Sequence, residues 1–511
     1  MSEAETRMPV FGNAAHMLMH TAAAVPEHPA VQEDDRTVSY RALADRALGV
    51  AEALRRAGVE PGDRVAVFQR RGADAAASFF GALAAGAIVV MVNESLRPRQ
   101  IEHILGHAGA KVFLTAADLT DRLSRALRTD ALPIQIADVA GSGDVATVPR
   151  TGSDPAQIVY TSGSTGLPKG VTFSHANIWA GTESVVSYVG ITAADRVASL
   201  LPFSFDYGLN QLLCCARTGA TLVVERSPVP QRIVGTLRRQ EVSVLPAVPP
   251  LWLQVLGAQA FRAEPLPALR RMTNTGGRLP TEAVQSLRRS QPQAELFLMY
   301  GLTEAFRSAY LPPDRTDRKP NSIGGAIPGA ELLVLNEDLE PCKPHEVGEL
   351  VHRGPTVALG YWNDPEATAR RFRPNPLRPP GAPDAERVVF SGDLVYRDAD
   401  ADLFFVGRQD GMIKTLGYRV SPDEVVDVLY GSGEVLEAVV AAEPDDLRGS
   451  RIVAYVVLTE QGRLDRLEAF AAQELPRYMQ PSRIEVRAAL PRTSSGKHDA
   501  AAAARPSDDD D

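Results

Sequence analysis

The stretch Tyr160-Thr161-Ser162-Gly163-Ser164-Thr165-Gly166-Leu167-Pro168-Lys169-Gly170 sets three glycines, five hydroxyl side chains and one lysine within eleven residues. A largely apolar run, Gln157 to Tyr160, leads into it. Glycines let backbone N–H groups come close to a ligand, hydroxyls donate hydrogen bonds and lysine adds charge, so the composition suits a loop around an anionic group. The spacing is not Gly-x-x-x-x-Gly-Lys-[Ser/Thr], so this is no Walker A loop. A plain Gly/Ser linker would lack the strand-like run before it and the Pro-Lys-Gly that closes it.

Around this loop the chain alternates helix and strand patterns. Helical spacing covers Tyr40 to Ala57, Ala73 to Ala85 and Pro98 to His107, and strand patterns cover Arg64 to Phe68, Ala87 to Val92 and Lys111 to Thr115. Beyond the loop, Arg196 to Leu201, Thr221 to Glu225, Val242 to Leu245 and Glu295 to Met299 read as further strands. Repeated β-α units predict a mostly parallel sheet with helices on both faces. From about Gly324 shorter strands (Glu331 to Leu335, Gly348 to His352, Leu403 to Val406) predict a β-rich subdomain. The proline-rich Pro374 to Pro383 predicts an exposed loop, Gly407 to Gly411 a hinge before a small α/β module, and Ala500 to Asp511 a disordered tail.

With 511 residues, two or more domains are expected. A net charge of −9 argues against a nucleic-acid surface. Cys214, Cys215 and Cys342 supply neither a disulfide framework nor metal-ligand spacing, which suits a reducing cytoplasm. Met1 to Pro9 is polar and acidic, unlike a signal peptide, and no apolar run approaches a membrane span.

Further segments carry chemistry. Tyr300-Gly301-Leu302-Thr303-Glu304 follows a predicted strand, and a Thr-Glu pair there suits a phosphate oxygen and a magnesium ion. In Ser391-Gly392-Asp393 the acid suits the two hydroxyls of a ribose. Gly407-Arg408-Gln409-Asp410 and Ile413 to Arg419 place basic groups and glycines at the hinge, and Pro491 to Lys497 ends in a lysine on a turn. His103 and His107, four apart on a helix, lack a third ligand motif and read as helix-surface residues; His175 reads as structural.

These motifs, in this order, resemble the AMP-forming adenylating enzymes: acyl-CoA synthetases, luciferases and peptide-synthetase adenylation domains. The resemblance runs from about His16 to Lys497 and includes Gly348-Glu349-Leu350 and Gly360-Tyr361. Leu201 to Gly208, Tyr300 to Arg307 and Gly360 to Glu366 are most similar to free-standing acyl-AMP ligases of the exosortase-associated type and to aminoacyl–carrier-protein ligases. It implies an α/β fold: a large N-terminal domain (1–409) of stacked mixed sheets with helices and a β-rich subdomain, a small mobile C-terminal α/β domain (410–498), and a disordered acidic tail (499–511). It also implies activation of an acid by ATP with Mg2+, release of pyrophosphate, and transfer to CoA or to the phosphopantetheine thiol of a separate carrier protein.

By the same resemblance, Lys497 bridges the acyl carboxylate and the α-phosphate. Thr161, Ser162, Gly163, Ser164, Thr165, Gly166 and Lys169 cradle the outer phosphates. Tyr300 and Gly301 contact the nucleotide, Thr303 the α-phosphate, Glu304 the magnesium, and Asp393 and Arg408 the ribose. Asp410 marks the hinge, about which Lys414 and Gly417 swing in for the thiol step. Phe205, Asp206, Tyr207, Asn210, Ala247, Thr273, Thr275, Gly276, Met299, Arg307 and Ser308 line the acid pocket, a polar, mixed lining that disfavours a long fatty chain.

Two readings of the acid stay open. Asp206 holds an ammonium while Arg307 holds a polar or anionic tail, or the two neutralise each other around a neutral acid. The acceptor is likewise open between a thiol and a non-thiol nucleophile, as in an amide-forming ligase or a nitrite-activating enzyme that makes an N–N bond. A non-catalytic adenylate-binding protein would require loss of the loop residues, Glu304 or Lys497, and all are present.

Overall fold

The protein is described by a computed structural model covering residues 12–505, apart from 97, 120–128, 140, 142–144, 162–167, 383–385, 410, 416–417, 446–448, 476, 478 and 494–496. Among these residues two large sheets carry the architecture. The smaller has seven strands, in the order Gly360–Tyr361, Lys169–Ser174, Pro155–Thr161, Ile88–Met91, Arg64–Phe68, Ala110–Thr115, Leu132–Gln135. Its last five strands are parallel, as the β-α alternation predicts. The first two run antiparallel, so the sheet is mixed.

The larger sheet holds fourteen strands. Its parallel half runs Pro29–Glu33, Thr221–Val224, Arg196–Ser199, Val244–Ala247, Arg271–Asn274, Glu295–Tyr300. The expected β-rich subdomain is not a separate sheet. Ala309–Leu311 and Ser322–Ala326 continue the ladder antiparallel into Leu403–Arg408, Arg387–Arg397, Gly348–Arg353 and Glu331–Leu335. The strand expected at Val242 begins at Val244 and runs to Ala247; just before it, the Ser243 backbone accepts from Arg270 and Arg271 and its hydroxyl donates to Asp195.

Among the described residues the main core joins the two sheets through five helices, of which His16–Ala24 contributes Met17 and Leu18. Tyr40–Arg56 is capped by Ser39, whose hydroxyl accepts from Ala42 N, and Ala73–Ala84 packs on it. His175–Val189 starts with a Ser174/Asn177 capping box, and Asp206–Thr218 stops at left-handed Gly219. Cys214 and Cys215 are buried in the last helix.

A small α/β unit has its own core of Val425, Leu429, Ile452, Ala454, Val456 and Leu467, around the sheet Val435–Asp445, Gly449–Leu458, Arg483–Val486. Its end corrects the expectation of disorder from Ala500. Ala500–Ala503 form a helix capped by Asp499, and Ala503 is buried beside Val439, Val453 and Tyr455. The proline-rich loop begins in a short strand, Phe372–Pro374, paired with Arg387–Arg397; Pro383 lies outside the described residues.

Candidate active site

A cleft of about 1230 Å³ opens where the parallel strands of the larger sheet end against the smaller sheet and the small unit. Strand C-termini are where open α/β sheets present ligand-binding loops. Thr161 and Lys169 are in-register partners of the antiparallel strands Pro155–Thr161 and Lys169–Ser174, which flank the glycine-rich stretch. Ser162, Gly163, Ser164, Thr165 and Gly166 lie outside the described residues.

The loop's two ends are held by one helix. His107 Nδ1 is 2.8 Å from Tyr160 Oη, and His103 Nε2 is 3.2 Å from Pro168 O. The surface reading of His103 and His107 is therefore corrected. Their four-residue spacing on Pro98–Ala108 puts both rings on one face against the hairpin, their centroids 5.5 Å apart. Burial, with His103 beside it, lowers the His107 pKa. Among the described residues no cluster of three or more His, Cys, Asp or Glu could hold a metal.

Opposite the hairpin, Glu295–Tyr300 delivers Tyr300, whose hydroxyl donates to Asp393. Asp393 and Arg408 are cross-strand partners, with Arg408 Nε 3.5 Å from the carboxylate. Residues far apart in sequence thus become neighbours by register. Burial, then Asp393, pushes the Tyr300 phenol well above its ordinary pKa. Behind Tyr300 lies His352, which sequence reasoning missed. It is buried, stacked on Tyr300 with centroids 6.0 Å apart, and burial brings its pKa down to about 3, so it is a neutral backing at any working pH.

Glu304, in the turn Thr303–Ala305, accepts from Tyr361 Oη at 2.5 Å, and Lys169 Nζ lies 5.7 Å from the centre of the same Tyr361 ring. Tyr361 therefore ties the acidic residue to the lysine of the hairpin. The Gly360-Tyr361 pair was visible in the sequence, but this link was not. One carboxylate beside threonine hydroxyls in an open, polar cleft is a donor set that suits magnesium, which keeps waters and phosphate oxygens as its other ligands.

Lys497 reaches the cleft from the small unit. Its Cε lies 3.3 Å from where a Cβ on Gly276 would stand, and Gly276 has φ +83°, so a side chain there would be both strained and crowding. Protein surrounds the lysine on most sides while the cleft leaves its surface open to solvent. Desolvation lowers its pKa, opposed by Asp206, with Arg408 adding to the lowering. The segment around Lys497 is held on the small unit: Arg492 pairs with Glu437, and His498 Nε2 is 3.4 Å from the same carboxylate. Arg278, after Gly276, pairs with Asp427 of the small unit. Asp410 and Gly417 lie outside the described residues; Lys414 sits in the short strand Ile413–Thr415.

Of the predicted acid-pocket residues, Phe205, Gly276 and Met299 line the cleft, whereas Asp206, Tyr207, Asn210, Ala247, Thr273, Thr275, Arg307 and Ser308 are not among its lining residues. Asp206 opens the helix Asp206–Thr218, and burial raises its pKa, opposed by Arg307 and then Lys497. Tyr207 Oη is bonded to Thr273 O (2.9 Å) and Thr273 Oγ1 (2.5 Å), with the Ala247 backbone beside it. Ala247, Tyr207 and Thr273 are thereby spent on the pocket floor, and Thr275 is buried next to it. Tyr188, which sequence reasoning missed, donates to Met299 Sδ at 3.0 Å and stacks on Tyr310 at 4.2 Å, closing one side. Arg307 lies 4.8 Å over the Tyr207 ring, and with Asn210 and Ser308 it is fully buried.

Comparison with known proteins agrees with this architecture. Residues 18–362 match the model of the AMP-binding enzyme family and residues 424–497 that of the AMP-binding enzyme C-terminal domain. The chain is 32% identical to novobiocin biosynthesis protein H of Streptomyces niveus, over 95% of this chain and 81% of that one. It is 31% identical to delta-poly-L-ornithine synthetase of Acinetobacter baumannii over 95% of its own length, but spans only 36% of that protein. Among solved structures, o-succinylbenzoate coenzyme A synthetase from Bacillus subtilis, in complex with ATP and magnesium ion, superposes with a TM-score of 0.83 at 25% identity, covering 95% of this chain and 98% of that one.

Proposed function

The chain belongs to the AMP-binding enzyme family, and on that premise we propose that it activates a small polar carboxylic acid as its acyl-adenylate and passes the acyl group to a thiol of CoA or of a separate carrier protein. The observation that carries this reading is the convergence of Lys497, Thr303, Glu304, Asp393 and Arg408 on one cleft that Phe205, Gly276 and Met299 also line.

In the first half-reaction an acid oxygen attacks the α-phosphate and the bond to pyrophosphate breaks. Both reactants are anions, so the site must neutralise and align them rather than supply a base. Lys497 sits where its ammonium can hold the acid oxygen and the α-phosphate oxygen together. Thr303 donates to the α-phosphate, and Lys169 with the hairpin holds the leaving pyrophosphate. Glu304 would hold a magnesium ion, which would neutralise charge on the phosphates. Asp393, kept acceptor-rich between Tyr300 and Arg408, takes the ribose hydroxyls. In the second half-reaction a thiolate displaces AMP.

The pocket supports a short acid because its floor is closed by the Tyr207–Thr273 bonds and its side by the Tyr188–Tyr310 stack. ATP–pyrophosphate exchange over small amino acids, hydroxy acids and aromatic acids tests this, with exchange expected for short polar acids. Exchange with fatty acids alone would overturn the pocket reading. Mass spectrometry of the product formed with CoA or a holo carrier protein then tests the acceptor, with a thioester expected. Release of adenylate only to an amine would overturn the thiol step.

A further inference from the structure

The acid end holds buried polar atoms that the protein leaves unpartnered. Arg307 is 3% exposed, and Asn210 and Ser308 are 1% exposed each. Arg307 Nε and Nη2, Asn210 Nδ2 and Oδ1, and Ser308 Oγ meet no hydrogen-bond partner among the described residues. Buried donors and acceptors are nearly always satisfied, so a group of them side by side marks where something else binds.

Arg307 lies against the helix that carries Asn210, its guanidinium 4.8 Å over the ring of Tyr207. Asp206, Asn210 and Cys214 recur at every fourth position of the helix Asp206–Thr218 and form one stripe. The Arg307 charge acts on both ends of that stripe, Asp206 and Cys214, and on the Tyr188 and Tyr207 hydroxyls. Asn210 is the middle of the stripe. Lys497 acts on Asp206 from the opposite side. Asp206 thus feels both charges, that of Lys497 from the cleft and that of buried Arg307 behind it, with Asn210 one turn further along the same helix.

The wall that carries Arg307 is strained into place. Phe306 has φ 58° and ψ −66°, and Arg307 N donates to Ala305 O at 2.6 Å, a γ-turn of the rare positive-φ kind. Such a turn persists only where the surroundings over-determine it, and it clusters at ligand sites. Here the Phe306 ring drops onto Gly181, where any Cβ would fall 2.2 Å from it. Turned this way, Arg307 is driven inward, and Ser308 is tied back by its N–H to Tyr300 O at 3.2 Å.

Nε and Nη2 are the two nitrogens on one edge of the guanidinium. That edge offers two parallel N–H donors, the fork that a carboxylate fills with both oxygens. We propose that Arg307, Asn210 and Ser308 form a distal carboxylate subsite, so that the acid activated here is a compact one carrying a second carboxylate. This rests on the adenylation reading for the first carboxylate, at Lys497. Asp206, midway, cannot pair with a second carboxylate; it disfavours acids with charge at their centre unless they carry an ammonium there, so acidic amino acids fit as well as plain diacids.

The test uses matched acids on the full chain: succinate and glutarate, their monomethyl esters, butyrate, and L-aspartate against L-asparagine. Exchange kinetics and calorimetry are read together. Each diacid is expected to exceed its ester in exchange kcat/KM by at least about tenfold, because an ester leaves the fork unpaired. Arg307→Met is expected to erase that preference while the KM for ATP stays within about twofold, and Arg307→Lys to restore part of it. The wild-type preference decides the matter alone if the Arg307→Met protein does not fold. Exchange that favours esters or monoacids overturns the subsite and leaves adenylation standing. Diacid binding that depends on Arg307 without any exchange overturns adenylation and leaves the subsite. Neither binding nor exchange with any diacid overturns both.

Discussion

At the nucleotide end of the cleft the polar groups arrive already engaged with one another: Tyr300 with Asp393, Asp393 with Arg408, Glu304 with Tyr361, His107 with Tyr160. At the acid end, Arg307 Nε and Nη2, the Asn210 side-chain amide and Ser308 Oγ have no hydrogen-bond partner among the described residues. The first arrangement is preorganised and indifferent to the acid. The second is completed only by its ligand, so it sorts ligands. Changes at the two ends should therefore separate into effects on every acid and effects on which acid.

The largest effect is expected for Lys497→Ala, the one proposed group that serves both ends. Exchange should fall about a thousandfold, roughly 4 kcal/mol of transition-state stabilisation, for every acid alike. Exchange that survives would break the assignment. Next, Asp393→Ala should raise the KM for ATP about thirtyfold, near 2 kcal/mol for lost charged hydrogen bonds, and leave the ranking of acids untouched. A changed ranking would mean that the ends are not independent.

A subtler effect lies in pH. Burial raises the pKa of Asp206 and desolvation lowers that of Lys497. Asp206 thus loses its charge above the ordinary carboxylate range as pH falls, and Lys497 loses its proton below the ordinary lysine range as pH rises. The profile of exchange against pH should be a bell narrowed from both sides, and Asp206→Asn should remove the acidic limb alone. An unchanged acidic limb would show that Asp206 does not act on the acid. The smallest effect is expected from His107→Phe. Losing one of two ties on the hairpin should cost about 1 kcal/mol, seen as a few-fold rise in the KM for ATP with unchanged kcat.

The contrast also explains what could be read beforehand. The nucleotide end was legible because backbone loops need glycines, hydroxyls and a lysine in unbroken runs, as in Tyr160 to Gly170 and Tyr300 to Glu304. The acid end draws on positions 206, 210, 299, 307 and 308, and only spatial packing shows that Ala247 and Thr273 bond to Tyr207 while Nε and Nη2 of Arg307 have no hydrogen-bond partner among the described residues. The strands of the β-rich region were legible one by one. Their fusion with the parallel sheet was not, because it depends on the register of Ser322–Ala326 with Leu403–Arg408. The histidines of Pro98–Ala108 were visible as a face, yet what that face touches lies far along the chain, at Tyr160 and Pro168.

The cleft is also a seam between two hydrogen-bonded bodies. Thr161, Lys169 and Tyr361 belong to the smaller sheet, and Asn274, Tyr300, Asp393 and Arg408 to the larger. The Tyr361–Glu304 hydrogen bond crosses between them. A bound nucleotide would act as a strut, bearing on one body with its phosphates and on the other with its ribose. Amide hydrogen–deuterium exchange should then slow at the cleft ends of both sheets when ATP is added, whereas an acid bound alone should slow it only around residues 206–214 and 299–308. The seam thus turns occupancy into cooperative stiffening, which would make order of addition visible in the protein's breathing before any chemistry occurs.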